Sequence, residues 1–236
     1  MHRNIYIILS IFFSSLLFAG CDSGPGIARI DDNAVILAFG DSLTRGTGAA
    51  QEQSYPAVLG RMLGTKIINL GVPGEVTSAG LERLPAVLDE YHPTLVLLCH
   101  GGNDFLRRFN QDETIGNLRS MVSLIRQRGA DVILIGVPKL GFGLDVPEFY
   151  TTIAEESQIP FEGEILLHLL GDNDMKSDSI HPNAAGYQLM AEAVFDLLEV
   201  EFGQRGYARV GELEQAPVNY PKRPALQQFF NGFTGR

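Results

Sequence analysis

The chain has 236 residues, 45% hydrophobic and 19% charged, which suffices for one sizeable core but is thin for two full domains; disordered, collagenous and coiled-coil chains are poor fits. Lys and Arg number 18 against 28 Asp and Glu, a net charge of -10 that repels phosphate backbones and argues against nucleic acid as the main partner. Two cysteines do not make a disulfide scaffold, and no CxxC pairs them into a metal knuckle.

The first predicted element stands outside the globule. His2 and Arg3 precede an apolar run from Ile5 to Phe18, broken only by Tyr6, Ser10, Ser14 and Ser15, and Ala19-Gly20-Cys21 follows. This is a signal-peptide layout; the run falls short of the ~20 residues of a membrane-spanning helix, a short uncleaved anchor being the alternative. Leu17-Phe18-Ala19-Gly20-Cys21 resembles a bacterial lipobox, with Phe18 where a small aliphatic residue is usual. That resemblance implies a diacylated Cys21 as the mature N-terminus, ordinary cleavage near Ala19 being the other route. Acyl chains on Cys21 would hold the domain on the periplasmic side of a bacterial membrane. Asp22 resembles the signal that favours the inner membrane; a secreted or soluble periplasmic protein is the alternative. Residues 1–20 are thus read as signal peptide, and residues 21–33, rich in Gly, Pro and Asp, as a spacer.

From residue 34, apolar runs alternate with helix-length segments. Ala34 to Phe39, Lys66 to Leu70, Thr94 to Cys99 and Asp131 to Val137 read as buried parallel strands, with a weaker fifth near Ile159 to Phe161. Tyr55 to Leu63 reads as a helix with Ser54 as cap and Pro56 in its first turn; Ile115, Leu118, Val122 and Ile125 recur at helical spacing before Gly129. Tyr187, Met190, Ala191, Val194, Leu197 and Leu198 form a last helical stripe, with Gly203 as stop signal. The expected architecture is a doubly wound three-layer α/β/α sandwich over residues 34–203, with Cys99 as a small core residue. Residues 204–236 are a basic, proline-containing tail, in which Arg205, Arg209, Lys222, Arg223 and Arg236 oppose Glu212 and Glu214. Docking on the acidic body, contact with anionic lipid and an unordered extension are its three readings.

In such sheets ligands bind beyond the carboxyl ends of the strands. There stand Gly40-Asp41-Ser42-Leu43-Thr44, Asn69-Leu70-Gly71-Val72-Pro73-Gly74 and Gly101-Gly102-Asn103-Asp104, with Asp178-Ser179-Ile180-His181-Pro182-Asn183 before the last helix. Together they supply what acyl transfer requires: a hydroxyl nucleophile, a base with an orienting carboxylate, and oxyanion donors. Asp178 and His181 are three apart in a turn, so the carboxylate can fix one imidazole nitrogen while the other faces the serine.

In order, Gly40-Asp41-Ser42-Leu43, Gly71, Gly101-Gly102-Asn103-Asp104 and Asp178-x-x-His181 resemble the blocks of the SGNH (GDSL) hydrolase superfamily over residues 35 to about 202. The flanking residues are most similar to the periplasmic thioesterase/protease/lysophospholipase branch, often called arylesterases. The resemblance implies Ser42 as nucleophile, His181 as base, Asp178 as its orienter, and the Ser42 and Gly71 amides with the Asn103 side chain as oxyanion hole. It further implies cleavage of acyl esters or thioesters through an acyl-enzyme, without cofactor. Asp41 and Asp104 flank the site as loop orienters or direct participants. Phe105, Leu106 and Phe142 are the candidates for an acyl-chain groove. No metal is expected: Asp172, Asp174 and Asp178 faintly suggest a calcium loop, but Lys176 stands where a ligand should be and the turn glycine is absent. His100 reads as a strand-end hydrogen bonder, and Gly46-Thr47-Gly48 lacks the lysine of a phosphate loop. A small-molecule or lipid ester is the expected partner and a monomer the expected state. The rival functions are a carbohydrate O-acetylesterase of the same superfamily and a non-catalytic envelope lipoprotein.

Overall fold

The computed structural model describes residues 34–140 and 143–204. The signal peptide, Cys21, the spacer, Phe142 and nearly all of the tail therefore lie outside the described residues.

Among the described residues, seven strands and eight α-helices follow one another: β1 (Ile36–Gly40), α1 (Ser42–Arg45), α2 (Tyr55–Leu63), β2 (Ile67–Gly71), α3 (Thr77–Tyr91), β3 (Leu95–Cys99), α4 (Gly102–Leu106), α5 (Gln111–Gln127) and β4 (Asp131–Ile135). Then come β5 (Lys139–Leu140), β6 (Leu144–Asp145), α6 (Phe149–Ser157), β7 (Phe161–Glu162), α7 (Ile165–Gly171) and α8 (Ala184–Gln204). The main sheet is parallel, in the order β2-β1-β3-β4-β7. Every residue of β1 and β3 is buried, because both faces of these central strands are covered, and this is why they read as unbroken apolar runs rather than alternating ones. β7 contributes two residue pairs at the edge, which accounts for its weak signal.

The chain steps from β1 outward to β2, then back past β1 to β3 and onward to β4 and β7. With right-handed crossovers, that reversal puts α2 on one face and α3, α5 and α6 on the other. The packing agrees: α2 lies against α8, α3 against α5, and α5 against α6. The switch point falls between β1 and β3, so the loops after these strands diverge and open a crevice at the carboxyl edge.

Local chemistry sets the helix ends. Asn110 caps α5 by accepting from the Asp112 amide at 2.8 Å, and Gly64 ends α2 in the left-handed region at φ 67. Two sequence expectations are corrected. Ser54 occupies the cap position of α2, but its hydroxyl donates to the Gln51 carbonyl at 2.8 Å instead of capping. Gly203 does not stop α8, which runs on to Gln204, the last described residue; one helical glycine costs only about 1 kcal/mol. Beyond β4, the antiparallel β5–β6 pair joins Lys139 to Asp145 and Leu140 to Leu144.

Candidate active site

Ser42 is the first residue of α1, directly after β1. Its amide is one of the first-turn N–H groups that find no partner within a helix. Asp41 caps this turn: Oδ1 accepts from the Leu43 amide at 3.0 Å, and Oδ2 accepts from Asn103 Nδ2 at 2.9 Å. Asp41 is almost wholly buried. Burial pushes its carboxyl up, while His100, the Leu43 amide, Asn103 and His181 pull in the opposite direction without overcoming it.

His181 approaches from the turn before α8. Its Nε2 stands 3.0 Å from Ser42 Oγ and its Nδ1 2.8 Å from Asp178 Oδ2. Asp178 Oδ1 accepts from the Ile180 and His181 amides at 2.8 and 2.9 Å, so the carboxylate is oriented by its own turn. Slight burial pushes the Asp178 carboxyl up, but the hydrogen bonds from His181 and the two amides outweigh it and hold the group below the usual range. An ionised Asp178 accepts the hydrogen bond from Nδ1–H, which leaves Nε2 free to take the Ser42 hydroxyl proton. Asp172, by contrast, accepts from the Asp174 amide at 2.9 Å as the cap of a short 3-10 turn. Among the described residues no group of three His, Cys, Asp or Glu side chains is placed to hold a metal.

The expected role of the Gly71 amide is not what the structure places there. Gly71 N–H donates to Asn69 Oδ1 at 3.0 Å, while Asn69 Nδ2 donates to the Thr44 carbonyl at 2.8 Å. The asparagine thus ties β2 to α1 and occupies the amide. Gly71 is needed for another reason: a β-carbon there would stand 2.2 Å from the Arg45 amide nitrogen, so only glycine lets α1 lie this close to β2. Gly74, in the same loop at φ 78, accepts from Arg107 Nη2 through its carbonyl at 2.8 Å. Its own N–H has no acceptor among the described residues.

Asp104 serves packing. Its Oδ2 accepts from the Thr77 amide at 2.9 Å, and its Oδ1 accepts the hydroxyls of Thr77 and Thr114 at 2.6 and 3.3 Å, which fastens the loop after β3 to α3 and α5.

A cleft of about 200 Å³ opens beside Ser42 and His181, its apolar walls including Phe105, Leu106, Val137, Leu140, Leu170 and Ile180. This is less than the ~300–1,000 Å³ of a pocket that swallows a whole drug-sized ligand, so it suits one arm of a substrate. Leu106 and Leu140 are exposed there, whereas Phe105 is half-buried, with ring centroids 6.2 Å from Phe149 and 6.5 Å from Tyr150. Sequence reading did not assign Leu170 and Ile180 to the cleft: Leu170 stands apart from every catalytic block, and Ile180 lies inside the Asp178-x-x-His181 block, where only its polar neighbours point to chemistry.

An open parallel sheet with a Ser–His–Asp relay at its carboxyl edge is the layout of a serine hydrolase. Residues 38–189 match the family described as GDSL-like lipase/acylhydrolase. The chain is 33% identical over 170 residues to an arylesterase of Vibrio mimicus, covering 67% of this chain and 85% of that one. It is 30% identical over 168 residues to thioesterase 1/protease 1/lysophospholipase L1 of Escherichia coli strain K12, covering 66% of this chain and 79% of the relative. The crystal structure of the psychrotrophic esterase EstA from Pseudoalteromonas sp., inhibited by monoethylphosphonate, superposes with a TM-score of 0.63 at 25% identity, covering 72% of this chain and 100% of that one. The chain belongs to the GDSL-like lipase/acylhydrolase family, and it is an ester hydrolase that works through a catalytic serine.

Proposed function

We propose that Ser42 is that serine and that the substrates are esters or thioesters of acyl chains longer than acetyl. The carrying observation is the relay itself, Ser42 Oγ 3.0 Å from His181 Nε2 and His181 Nδ1 2.8 Å from Asp178, opening onto an apolar cleft. In the first half-reaction the Ser42 oxygen bonds to the acyl carbon as its proton passes to His181 Nε2. The resulting oxyanion is held by the Ser42 amide and the second N–H of Asn103 Nδ2, with Gly74 N–H as the remaining donor of its loop. Cleavage of the bond to the leaving oxygen or sulfur returns the His181 proton to that atom. Water then repeats the sequence on the acyl-enzyme and frees the acid.

Chain-length profiling tests the substrate class. Each methylene taken up by the cleft contributes about 0.8 kcal/mol, or about fourfold in kcat/KM, so butyrate and longer aryl esters should outpace acetate. Leu106→Ala should narrow that gap while sparing acetate; it is a cleaner probe than Phe105→Ala, which also strips the Phe149 and Tyr150 contact. A wild-type preference for acetate would favour the carbohydrate O-acetylesterase instead.

We further propose that the mature chain begins at an acylated Cys21, which holds this edge of the sheet within reach of lipid esters at the periplasmic membrane surface. Mass spectrometry of the mature N-terminus is the check; a chain beginning elsewhere with Cys21 unmodified or absent overturns the anchor and leaves the hydrolase reading intact.

A further inference from the structure

Behind the site lies a cluster that the reaction at Ser42 does not use. Glu75 follows Gly74, Arg83 stands on α3, and His100 follows β3. Glu75 and His100 are both buried. Arg83 grips the carboxylate with two nitrogens, Nε donating to Oε1 at 2.6 Å and Nη2 to Oε2 at 2.7 Å. The same Nη2 reaches the carbonyl oxygens of Leu70 at 2.9 Å and Gly40 at 3.4 Å, and the guanidinium lies over the Phe39 ring, 3.8 Å from its centre. On the far side His100 Nδ1 accepts from the Gly101 amide at 3.0 Å, which leaves Nε2–H to donate to Glu75 Oε2 at 3.2 Å. Burial pushes the Glu75 carboxyl up, but the hydrogen bonds from His100 and Arg83 outweigh it and hold the group below the ordinary carboxylate range. The imidazole fits under α3 because residue 80 is glycine; a β-carbon there would stand 2.5 Å from His100 Nε2.

The backbone groups this cluster holds belong to the last residues before three loops. Gly40 precedes Asp41-Ser42, Leu70 precedes the Gly71–Gly74 loop, and Gly101 precedes Gly102-Asn103. The sheet pairing ends at this level, with Gly40 opposite Gly71 on one side and Cys99 on the other. Beyond it, side chains must set how the loops stand relative to one another. Ion pairing is a poor device for stability alone, since desolvation offsets most of the attraction and an apolar trio of the same volume does as well. Its strength is geometric: a guanidinium presents several donors in a fixed plane, and here they span two strand ends and a carboxylate at once.

We propose that Arg83, Glu75 and His100 form a positioning clamp that fixes the relative placement of the loops carrying Ser42 and Asn103. The clamp deepens the reading of Ser42 as nucleophile and Asn103 as oxyanion donor, and rests on it.

The test removes both charges together. In Glu75→Gln/Arg83→Met, the introduced amide still accepts from His100, the introduced thioether side chain still covers Phe39, and no unpaired charge is left buried, so the protein should melt close to wild type. A misplacement of about 1 Å costs roughly 10²-fold, so kcat on a soluble short-chain aryl ester should fall by about that factor with KM little changed. Arg83→Lys, which keeps the charge but places one nitrogen where the guanidinium placed several, should show an intermediate loss of kcat at unchanged KM. A folded double variant with wild-type kcat overturns the clamp. If the double variant does not fold, a folded Arg83→Lys protein with wild-type kcat overturns it equally. Fluorophosphonate labelling of the wild type at Ser42 separates the two levels: without it the nucleophile assignment fails, whereas with it unchanged kcat in the variants counts against the clamp.

Discussion

Ser42→Ala or His181→Ala should abolish turnover, each losing on the order of 10⁶ in kcat, and the double variant should be no worse than either single one because the pair acts as a unit. Without the Ser42 hydroxyl there is no acyl acceptor; without Nε2, 3.0 Å away, nothing takes the hydroxyl proton. Asp178→Asn should cost about 10⁴-fold, since an amide facing Nδ1 stabilises the wrong tautomer. The rate should also fall in acid, and this limb should not belong to Asp178. The hydrogen bonds that hold Asp178 below the usual carboxylate range keep it ionised to lower pH than an ordinary aspartate. Steady-state kinetics against pH on an aryl ester reads all of these effects; small, equal losses in the three variants would contradict the assignment.

The next largest effects should come from the oxyanion side. Asn103→Ala removes one donor and should lower kcat by about 10² to 10³, with KM little changed. Asp41→Asn should lower kcat nearly as far, although Asp41 does not contact the substrate. Its two oxygens accept from the Leu43 amide and from Asn103 Nδ2, and an asparagine can serve one of these only by turning its own NH2 group toward the other. Because Asn103 is the means by which Asp41 acts, Asp41→Asn/Asn103→Ala should match Asn103→Ala alone; multiplicative losses would show an independent role. Stability should move the other way. A buried carboxyl with a raised pKa binds its proton more tightly folded than unfolded, so the ionised form weakens the fold above that pKa. Asp41→Asn should therefore be at least as stable as wild type at neutral pH, and any advantage should shrink as acid protonates Asp41 in the parent.

What could be read from the sequence and what could not divide along one physical line. Strands β1, β3 and β4 showed themselves because a strand buried on both faces must be apolar throughout, the half-buried edge strand β2 through a shorter apolar run, and Ser42, Asn103, Asp178 and His181 because each sits in a short polar block next to a strand or before a helix. Pairings between distant residues left no such trace. The β5–β6 hairpin is built from two-residue strands with no apolar run, and Thr77 meets Asp104 27 positions away. Arg83 and His100 meet Glu75 from 8 and 25 positions away. Gly71 was placed in the right loop but given the wrong task. Its proximity to the site is visible in the motif, whereas the capture of its amide by Asn69, two residues earlier, depends on how β2 meets α1. Phe105 similarly divides its ring between the cleft and α6, which no linear pattern reports.

The most direct test of the account is mass spectrometry of the folded protein after reaction with a fluorophosphonate. The expected result is a single adduct mapping to Ser42, absent from Ser42→Ala and formed far more slowly by His181→Ala. An adduct on another residue, or none on protein shown to be folded, would contradict it.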